Sequence, residues 1–415
     1  MAKDRAPPPR MARRDLGVLA MVALLPLLLG SLMLAPGRHT LLGLASTGMT
    51  MIAPAMVLAW PATRPALWPG GRMAALAAMI ICFGVLLALV RAPYPALSLT
   101  TLGAWVAAMV AGRAVQLRMR LPGAFPRAMA IAILLAGPLY VPLLPLMDLL
   151  YGDTHAIDWS RDMPGFRHVR KMGHLLVASA AAGIGLVMLG PRGATRSQDA
   201  ALTVLALIAL ALAIWTGARG AWLALIATIL LTWATGHAAG HGVRTGRVLT
   251  VLAGAVALGL ILPSPGPHLG ILEEFSTSAA RLEAGDLNHL TSNRLELWSR
   301  ALEAATQAPL VGPGWGQFIL IAPSTATLHA HSLPMELLYA FGLPMGLLAG
   351  GLLLTLWIEA HRRVLRAGAD LMPALAILDA MTLYALVSGT YFYGVPVVLT
   401  GIAWGICLSP RPAPG

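Results

Sequence analysis

The chain is poor in charge and in cysteine, and each shortage excludes a class of protein. Only 11% of its 415 residues are Asp, Glu, Lys or Arg, whereas a soluble domain usually carries about 25%. Cys82 and Cys407 are its only cysteines and lie far apart inside apolar runs. Neither a disulfide framework nor a cysteine-based metal site is therefore expected. No Cys/His cluster has the spacing of a zinc site, so we predict no metal. No glycine-rich loop precedes a Lys-Ser or Lys-Thr pair, so we predict no nucleotide cofactor.

Long apolar runs make up most of the sequence instead. Hydrophobic residues account for 58% of the chain, and many runs approach the roughly 20 residues that span a hydrocarbon core. In lipid only helices or a closed barrel satisfy every backbone group, and runs that are continuous rather than alternating favour helices. We therefore predict an all-α polytopic membrane protein, with a single transmembrane domain over residues 1–415 and about 12 transmembrane helices. The predicted spans are 16–34, 41–60, 73–90, 98–112, 128–147, 172–189, 201–216, 220–235, 248–263, 335–358, 373–390 and 395–408.

The basic residues predict the orientation of these spans. With the N-terminus inside, nineteen of the 29 Lys and Arg residues fall in cytoplasmic connections. The short outside turns hold only Arg38, Arg91 and Arg219. This bias predicts that both termini are cytoplasmic. The basic residues behind the net charge of +12 are then expected to anchor and orient the chain, because anionic lipids of the cytoplasmic leaflet attract them. The sequence has no basic patch with interleaved aromatic residues, so we predict no nucleic-acid partner.

Two long connections are predicted on the outer side. Residues 148–171 form the smaller loop between spans 5 and 6, and residues 264–334 form a large loop between spans 9 and 10. A connection as long as the second is usually functional or disordered. Its segment "SNRLELWSRALEAATQAP" has the spacing of an amphipathic helix. Asn293 at the N-cap and Glu296 three residues later fit a capping box.

Three outer residues are candidates for chemistry. Arg219 lies in the tight hairpin of "AIWTGARGAWLAL", Arg294 begins the amphipathic helix, and His331 precedes span 10. Each has an ordinary alternative, since boundary arginines reach lipid headgroups and boundary histidines commonly serve structure. Together they favour a shared site, because arginine binds diphosphate through paired hydrogen bonds and histidine transfers protons near neutral pH. We interpret them as a site where a hydroxyl displaces a phosphate-type leaving group.

Weaker candidates surround these three. Trp315 is interpreted as a surface for stacking sugar or as part of the interfacial aromatic belt. Glu336 is expected to orient a nearby arginine or histidine. His174 and Arg170, near the outer entrance of span 6, are expected to bind a phosphorylated acceptor or to serve structure. Arg300 follows on the amphipathic helix and is expected to face away from the diphosphate.

Three segments, in chain order, resemble the signature regions of bacterial O-antigen ligases. They are "TGARGAWLAL" (216–225), "SNRLELWSRALEAATQAPLVGPGWGQF" (292–318) and "HSLPMELLYAFG" (331–342). The wider family also contains O-antigen polymerases and protein O-oligosaccharyltransferases. The third segment departs from the family's histidine motif at its far end, where Met345 stands in the final position and Gly346 follows one residue later.

The resemblance implies a GT-C-like helical fold with a large periplasmic loop that contains short helices. It implies an inverting, metal-independent glycosyltransferase in the bacterial inner membrane, with its site facing the periplasm. The donor would be O-antigen linked to undecaprenyl diphosphate, and the acceptor a sugar hydroxyl of lipid A–core. On this resemblance His331 is the general base, while Arg219 and Arg294 bind the donor diphosphate.

Other functions stay open at this point. A polymerase of the same family would use a second lipid-linked glycan as acceptor, and a protein O-oligosaccharyltransferase is expected to be longer. A secondary transporter would use Asp379, Glu336 and His174 as ion-coupling groups. Transporters of that kind often show repeated halves, and no convincing internal repeat is present here.

Overall fold

The computed structural model describes residues 12–33, 49–61, 71–121, 125–142, 149, 166, 168–190, 195–262, 271–322 and 327–409. Every regular element in these ranges is an α-helix or a short 3-10 helix, which confirms the predicted all-α class. The α-helices are α1 (Arg13–Met33), α2 (Ile52–Ala59), α3 (Arg72–Val90), α4 (Pro95–Arg118), α5 (Phe125–Ala136), α6 (Val169–Leu189), α7 (Arg196–Trp215), α8 (Arg219–Ala238), α9 (Thr245–Ile261), α10 (Ile271–Glu283), α11 (Leu287–Leu290), α12 (Arg294–Gln307), α13 (Leu333–Phe341), α14 (Leu343–Ala367), α15 (Met372–Leu386) and α16 (Gly394–Cys407).

Seven helical segments among the described residues are long and apolar enough to cross a membrane. They correspond to α3, α4, α6, α7, α8, α14 and the segment that contains α15. Helices α5, α9 and α16 are apolar but shorter. The chain is an integral membrane protein, as its composition predicts. The count of twelve spans stays a prediction, and residues 34, 41–48, 143–147 and 263 of four predicted spans lie outside the described residues.

Helix α6 forms the centre of the bundle. The most apolar segment of α6 is 94% buried inside the protein, and the helix packs against α5, α7, α8 and α15. Small residues allow this close packing: a Cβ added at Gly183 would lie 2.7 Å from the Cβ of Ala206, and one added at Gly185 would lie 2.5 Å from the Cα of Pro373. Small residues are favoured where membrane helices approach closely. Helix α8, which begins at Arg219, is one of the helices that pack against α6.

The predicted continuous span 335–358 is wrong. The chain forms α13 and α14, separated at Gly342, whose φ is 81°. Glycine adopts this conformation without steric cost, and a Cβ at Gly342 would lie 2.7 Å from the carbonyl carbon of Leu310. Beyond the break, a Cβ at Gly346 would lie 2.6 Å from the carbonyl oxygen of Leu337. Apolar residues continue across both helices, so the hydrophobic pattern conceals the interruption.

A buried ion pair joins four helices at one end of the bundle. Arg118 donates to both carboxylate oxygens of Asp15, at 2.8 and 2.5 Å. The indole of Trp60 donates to the same carboxylate at 3.1 Å, and the guanidinium of Arg118 lies 5.2 Å from the ring centre of Phe125. Asp15 and Arg118 are only 1% and 5% exposed. We call this the Arg118 end.

We expect Arg118→Ala to lower the free energy of unfolding by about 3–5 kcal/mol, because it leaves the Asp15 carboxylate buried without its cation. Unfolding in detergent micelles, followed by circular dichroism, measures the change. The matched control is Arg14→Ala, since Arg14 is exposed on the same helix as Asp15 and surface changes usually stay within about 0.5 kcal/mol. Equal effects of the two substitutions would contradict a structural role for the ion pair.

Candidate functional site

The opposite end of the bundle brings the three main candidates together. Arg219 is the first residue of α8, Arg294 is the first residue of α12, and His331 lies two residues before α13. The charge of Arg294 acts on His331, and Arg219 acts on Arg294. Nη1 of Arg294 also lies 3.5 Å from the position that a Cβ would take on Gly220. We call this the His331 end.

Unusual backbone conformations flank these residues. In the described part of the chain, the non-glycine residues with positive φ are Ser292 at 56°, Asn293 at 61° and His331 at 53°. Such left-handed conformations cost roughly 1–3 kcal/mol each and persist where the surrounding structure enforces them. Two of them directly precede Arg294, and the third is His331 itself. Local backbone strain therefore supports a functional role for this end.

The predicted capping box on α12 is only partly right. Asn293 occupies the N-cap position, but its side chain forms no capping hydrogen bond. The Glu296 carboxylate instead accepts from Arg300 at 2.7 Å and from Asn288 at 3.3 Å. Arg300 also donates to the carbonyl of Ile321 at 3.0 Å. The left-handed turn before α12 replaces the extended N-cap that a capping box needs, and Arg300 is engaged away from Arg294.

Arg219 is held by three partners. Its Nη1 donates to Ser278 at 3.0 Å and its Nη2 donates to Ser292 at 2.7 Å, while Nε lies 3.4 Å from the carboxylate of Glu274. Glu274 also accepts from Arg170 at 2.7 Å and is 6% exposed. This buried carboxylate fixes two arginines at once. The sequence analysis missed it, because nothing in the adjacent acids of α10 indicates which one points inward.

A basic cavity of about 310 Å³ opens beside Arg219. Four of its lining residues are basic: Arg170, Arg219, Arg281 and His289. Among the described residues of the lining, Glu274 is the only carboxylate. The cavity is near the lower size limit of small-molecule sites, about 300 Å³. Its charge and volume suit a phosphate group, and the contributions of Arg281 and His289 were not predicted from the sequence.

Arg294 differs from Arg219 because its guanidinium has no hydrogen bond or ion pair among the described residues. It is half-buried and lies within electrostatic reach of Tyr384, Arg219 and Arg170. Burial lowers the pKa of Arg294, and the charges of Arg219 and Arg170 lower it further. A partly buried cation among other cations is unfavourable unless an anion offsets it. The surroundings of Arg294 therefore suit an anionic ligand.

His329 positions the backbone of His331. Nδ1 of His329 accepts from the backbone N–H of His331 at 3.2 Å, so its Nε2 carries the proton and donates to the hydroxyl of Tyr393 at 2.9 Å. The two imidazole rings meet edge to face with centres 4.2 Å apart. A Cβ at Gly389 would lie 2.5 Å from Nε2 of His329, which shows how tightly the buried ring is enclosed. The sequence analysis assigned His329 no role.

Glu336 also acts on backbone rather than on a side chain. Its carboxylate accepts from the backbone N–H of Ala330 at 2.8 Å and from that of Gly316. Glu336 therefore orders the residue beside His331, whereas the sequence analysis expected it to orient an arginine or histidine side chain.

Trp315 is buried within an aromatic cluster. Its ring centre lies 5.4 Å from that of Phe341 and 5.7 Å from that of Trp105, and the residue is 4% exposed. It does not line the basic cavity. The ring of Trp315 packs against protein and also lines the small pocket that contains His331, so stacking on sugar stays a prediction.

His174 and Arg170 have different surroundings. Nδ1 of His174 donates to the carbonyl of Lys171 at 3.1 Å, and Nε2 accepts from Ser388 at 3.2 Å. The imidazole stacks on Tyr384 with ring centres 4.8 Å apart and is 3% exposed. These contacts favour the structural role for His174. Arg170, in contrast, lines the basic cavity.

The three groups of the transporter alternative have separate hydrogen-bond partners. The Asp379 carboxylate accepts from Trp357 and from His361, each at 2.8 Å, whereas Glu336 and His174 have the separate partners given above. Within the described ranges, no three His, Cys, Asp or Glu side chains are arranged to hold a metal ion. The arrangement gives no support to ion coupling through these residues.

The imidazole of His331 is expected to stay neutral well into the acidic range. Burial, followed by the charges of Arg294, His174 and Lys171, lowers the pKa of His331 to about 3. An anion beside Arg294 removes part of this repulsion, so added inorganic pyrophosphate should raise the pKa. Carbon-13 NMR of labelled histidine measures the midpoint, with assignment by loss of the signal in His331→Gly. A midpoint near 6.5 without ligand would contradict the burial argument.

The direction of the shift also sets a pH dependence of stability. The unfolded chain binds a proton at this position near pH 6.5, while the folded chain resists it until about pH 3. The contribution of His331 to the free energy of unfolding therefore falls as the pH drops through that window and does not change above it.

Comparison with known proteins identifies the segment that carries this site. Residues 204–350 match a family model described as O-Antigen ligase, a match that spans about a third of the chain. A search of curated proteins finds no match. The resemblance to the O-antigen ligase family is therefore confirmed over residues 204–350, the segment that contains Arg219, Arg294 and His331.

Proposed function

We propose that the chain is an O-antigen ligase that works at the periplasmic face of the bacterial inner membrane. It transfers polysaccharide from undecaprenyl diphosphate to a sugar hydroxyl of lipid A–core. The observation that carries this proposal is the guanidinium of Arg294, half-buried and without a partner among the described residues, between Arg219 and His331. Such a cation favours an anionic ligand, and the neutral imidazole of His331 lies beside it.

The arginines bind the donor diphosphate. The two hydroxyl partners of Arg219, on Ser278 and Ser292, are neutral, so a phosphate oxygen can replace them with a stronger charge-assisted hydrogen bond. Glu274 keeps Nε of Arg219 in place during this exchange. Arg294 binds the same diphosphate from the side of His331. As the sugar–oxygen bond breaks, both cations stabilise the charge that develops on the leaving group.

His331 activates the acceptor. Its neutral imidazole accepts the proton of the acceptor hydroxyl while that oxygen attacks the anomeric carbon of the donor sugar. The bond from this carbon to the diphosphate breaks, the electron pair leaves with undecaprenyl diphosphate, and the anomeric configuration inverts. The proton then passes from His331 to solvent or to the leaving group. The lipid diphosphate is already activated and the arginines supply positive charge, so the proposed reaction needs no nucleotide or metal.

The proposed orientation places the His331 end in the periplasm and the Arg118 end in the cytoplasm, with both termini cytoplasmic. The distribution of arginine among the predicted connections supports it. Helices α10, α11 and α12 then belong to a periplasmic loop that covers the site, within a GT-C-like helical fold. Lipid-linked donor and lipid-anchored acceptor meet there as neighbours, which removes part of the entropic cost of their encounter.

The product of the purified protein tests this function. The protein in vesicles is supplied with glycan linked to undecaprenyl diphosphate and with lipid A–core, and the products are separated by electrophoresis. Glycan-capped lipid A–core is the expected product. Glycan that lengthens on its lipid carrier would instead favour a polymerase of the same family. Neither product, under conditions where a known ligase is active, would contradict the proposed transfer.

A further inference from the structure

A second, larger cavity lies between four helices of the bundle. It has a volume of about 1050 Å³ and is bounded by α3, α4, α14 and α16, with Trp315 and α13 at one end. Two of these helices are among the least buried spans. Only 17% of the most apolar segment of α3 and 22% of that of α14 are buried inside the protein. The cavity is therefore a groove on the membrane-facing side, separate from the basic cavity at Arg219.

The groove is apolar over most of its length and basic at one end. Ile80, Leu102, Leu353 and Trp404 are typical of its walls. The charged residues of its lining lie in the C-terminal parts of α4 and α14 and in the turn after α4, toward the Arg118 end. They are Arg113, Arg120, Glu359, Arg362 and Arg363.

The charges at this end do not cancel. Arg363 forms an ion pair with Glu359 at 2.8 Å, and Arg113 donates to Gln116 at 2.6 Å. The side chains of Arg120 and Arg362 form no ion pair or hydrogen bond within the described ranges. Both are exposed. Among the described lining residues, four arginines and one carboxylate give an excess of positive charge at this end of the apolar groove.

We propose that this groove binds one glycerophospholipid with an anionic headgroup, its phosphate at Arg120 and Arg362 and its acyl chains along the apolar walls. The guanidinium fork matches phosphate oxygens in pairs, and basic pockets between membrane helices on the cytoplasmic side bind anionic headgroups. Because the positive charge lies at the Arg118 end of the groove, an anionic phospholipid fits the groove better than the polyisoprenyl tail of the donor does. On the proposed function the donor diphosphate lies at the His331 end, where no described residue of the groove lining is charged.

Native mass spectrometry of the intact protein, released from detergent micelles, tests this binding. Phosphatidylglycerol and phosphatidylcholine with identical acyl chains are added in turn. We expect one phosphatidylglycerol to be retained in preference to phosphatidylcholine. Arg120→Ala and Arg362→Ala should each weaken phosphatidylglycerol retention about fivefold, because a basic residue near an anionic lipid contributes about 1 kcal/mol. Retention of phosphatidylcholine should not change.

Two further variants separate this site from general surface charge. Arg366→Ala is the matched control, since Arg366 is exposed on α14 one turn after Arg362 and does not line the groove. Leu353→Trp fills the groove from α14 and should lower the retention of both lipids. Equal retention of the two lipids by the unmodified protein would overturn the proposal. The same follows if Arg366→Ala weakens binding as much as Arg120→Ala, if Leu353→Trp has no effect, or if undecaprenyl phosphate displaces phosphatidylglycerol at a lower concentration.

Discussion

His331→Gly should lower the rate of glycan transfer by about 10²–10⁴-fold, the range typical of a lost general base, without lowering the thermal unfolding temperature. Glycine is the informative substitution because the backbone at His331 has φ 53°, a conformation that glycine adopts without strain. The imidazole of His331 has no hydrogen bond among the described residues, so its removal leaves no buried partner unsatisfied. Loss of activity then reports on chemistry rather than on folding.

His237→Ala is the control for this variant. His237 is exposed in the last turn of α8, at the Arg118 end, and its removal should leave transfer unchanged. Initial rates are compared at equal amounts of folded protein and saturating acceptor. Less than a tenfold loss in His331→Gly would exclude proton transfer by this imidazole as the main contribution to the rate.

Arg294→Met should change activity and stability in opposite directions. Transfer should fall by about 10²–10³-fold, as when a group that stabilises developing charge is removed. The thermal unfolding temperature of the ligand-free protein should rise, because the substitution replaces a half-buried cation that has no described partner with an apolar side chain of similar length. Such opposite changes are expected where a residue serves ligand binding at the expense of the stability of the ligand-free protein. Inorganic pyrophosphate should stabilise the unmodified protein more than the variant.

Arg300→Met is the matched control on the same helix. Arg300 is engaged by Glu296 and by the carbonyl of Ile321, and an exposed ion pair contributes only about 0–1 kcal/mol. This variant should keep near-normal transfer and should gain no stability. If Arg300→Met and Arg294→Met lose activity equally, the effect of Arg294 is a general loss of positive charge from the loop. If Arg294→Met is less stable than the unmodified protein, other groups already compensate the charge of the Arg294 guanidinium.

The sequence predicts those parts of the structure that depend on local pattern. Apolar runs predict the membrane helices, and helical spacing in 292–309 predicts α12, which is observed at Arg294–Gln307. The hairpin glycines around Arg219 and the start of α12 place two arginines at the ends of helices. Because successive membrane helices alternate in direction, the order of the spans predicts that Arg219 and His331 lie at the same end, as the structure shows.

The remaining features depend on contacts between distant segments. Glu274 is one of two adjacent acids, and only its packing against Arg170 and Arg219 gives it a role. His329 is distinguished from His331 by its contacts with Tyr393 and Gly389. The interruption at Gly342 follows from the close approach of Leu310, while the apolar pattern runs through it. None of these contacts has a local signature in the sequence.

Adding imidazole to His331→Gly and measuring the rate of capping of lipid A–core tests whether His331 is the base of the glycan transfer. Free imidazole can occupy the space left by the side chain and accept the proton in its place. We expect the rate of His331→Gly to be low and to rise with the concentration of neutral imidazole, with no such rise in Arg294→Met. Full activity of His331→Gly in the absence of imidazole would contradict the account.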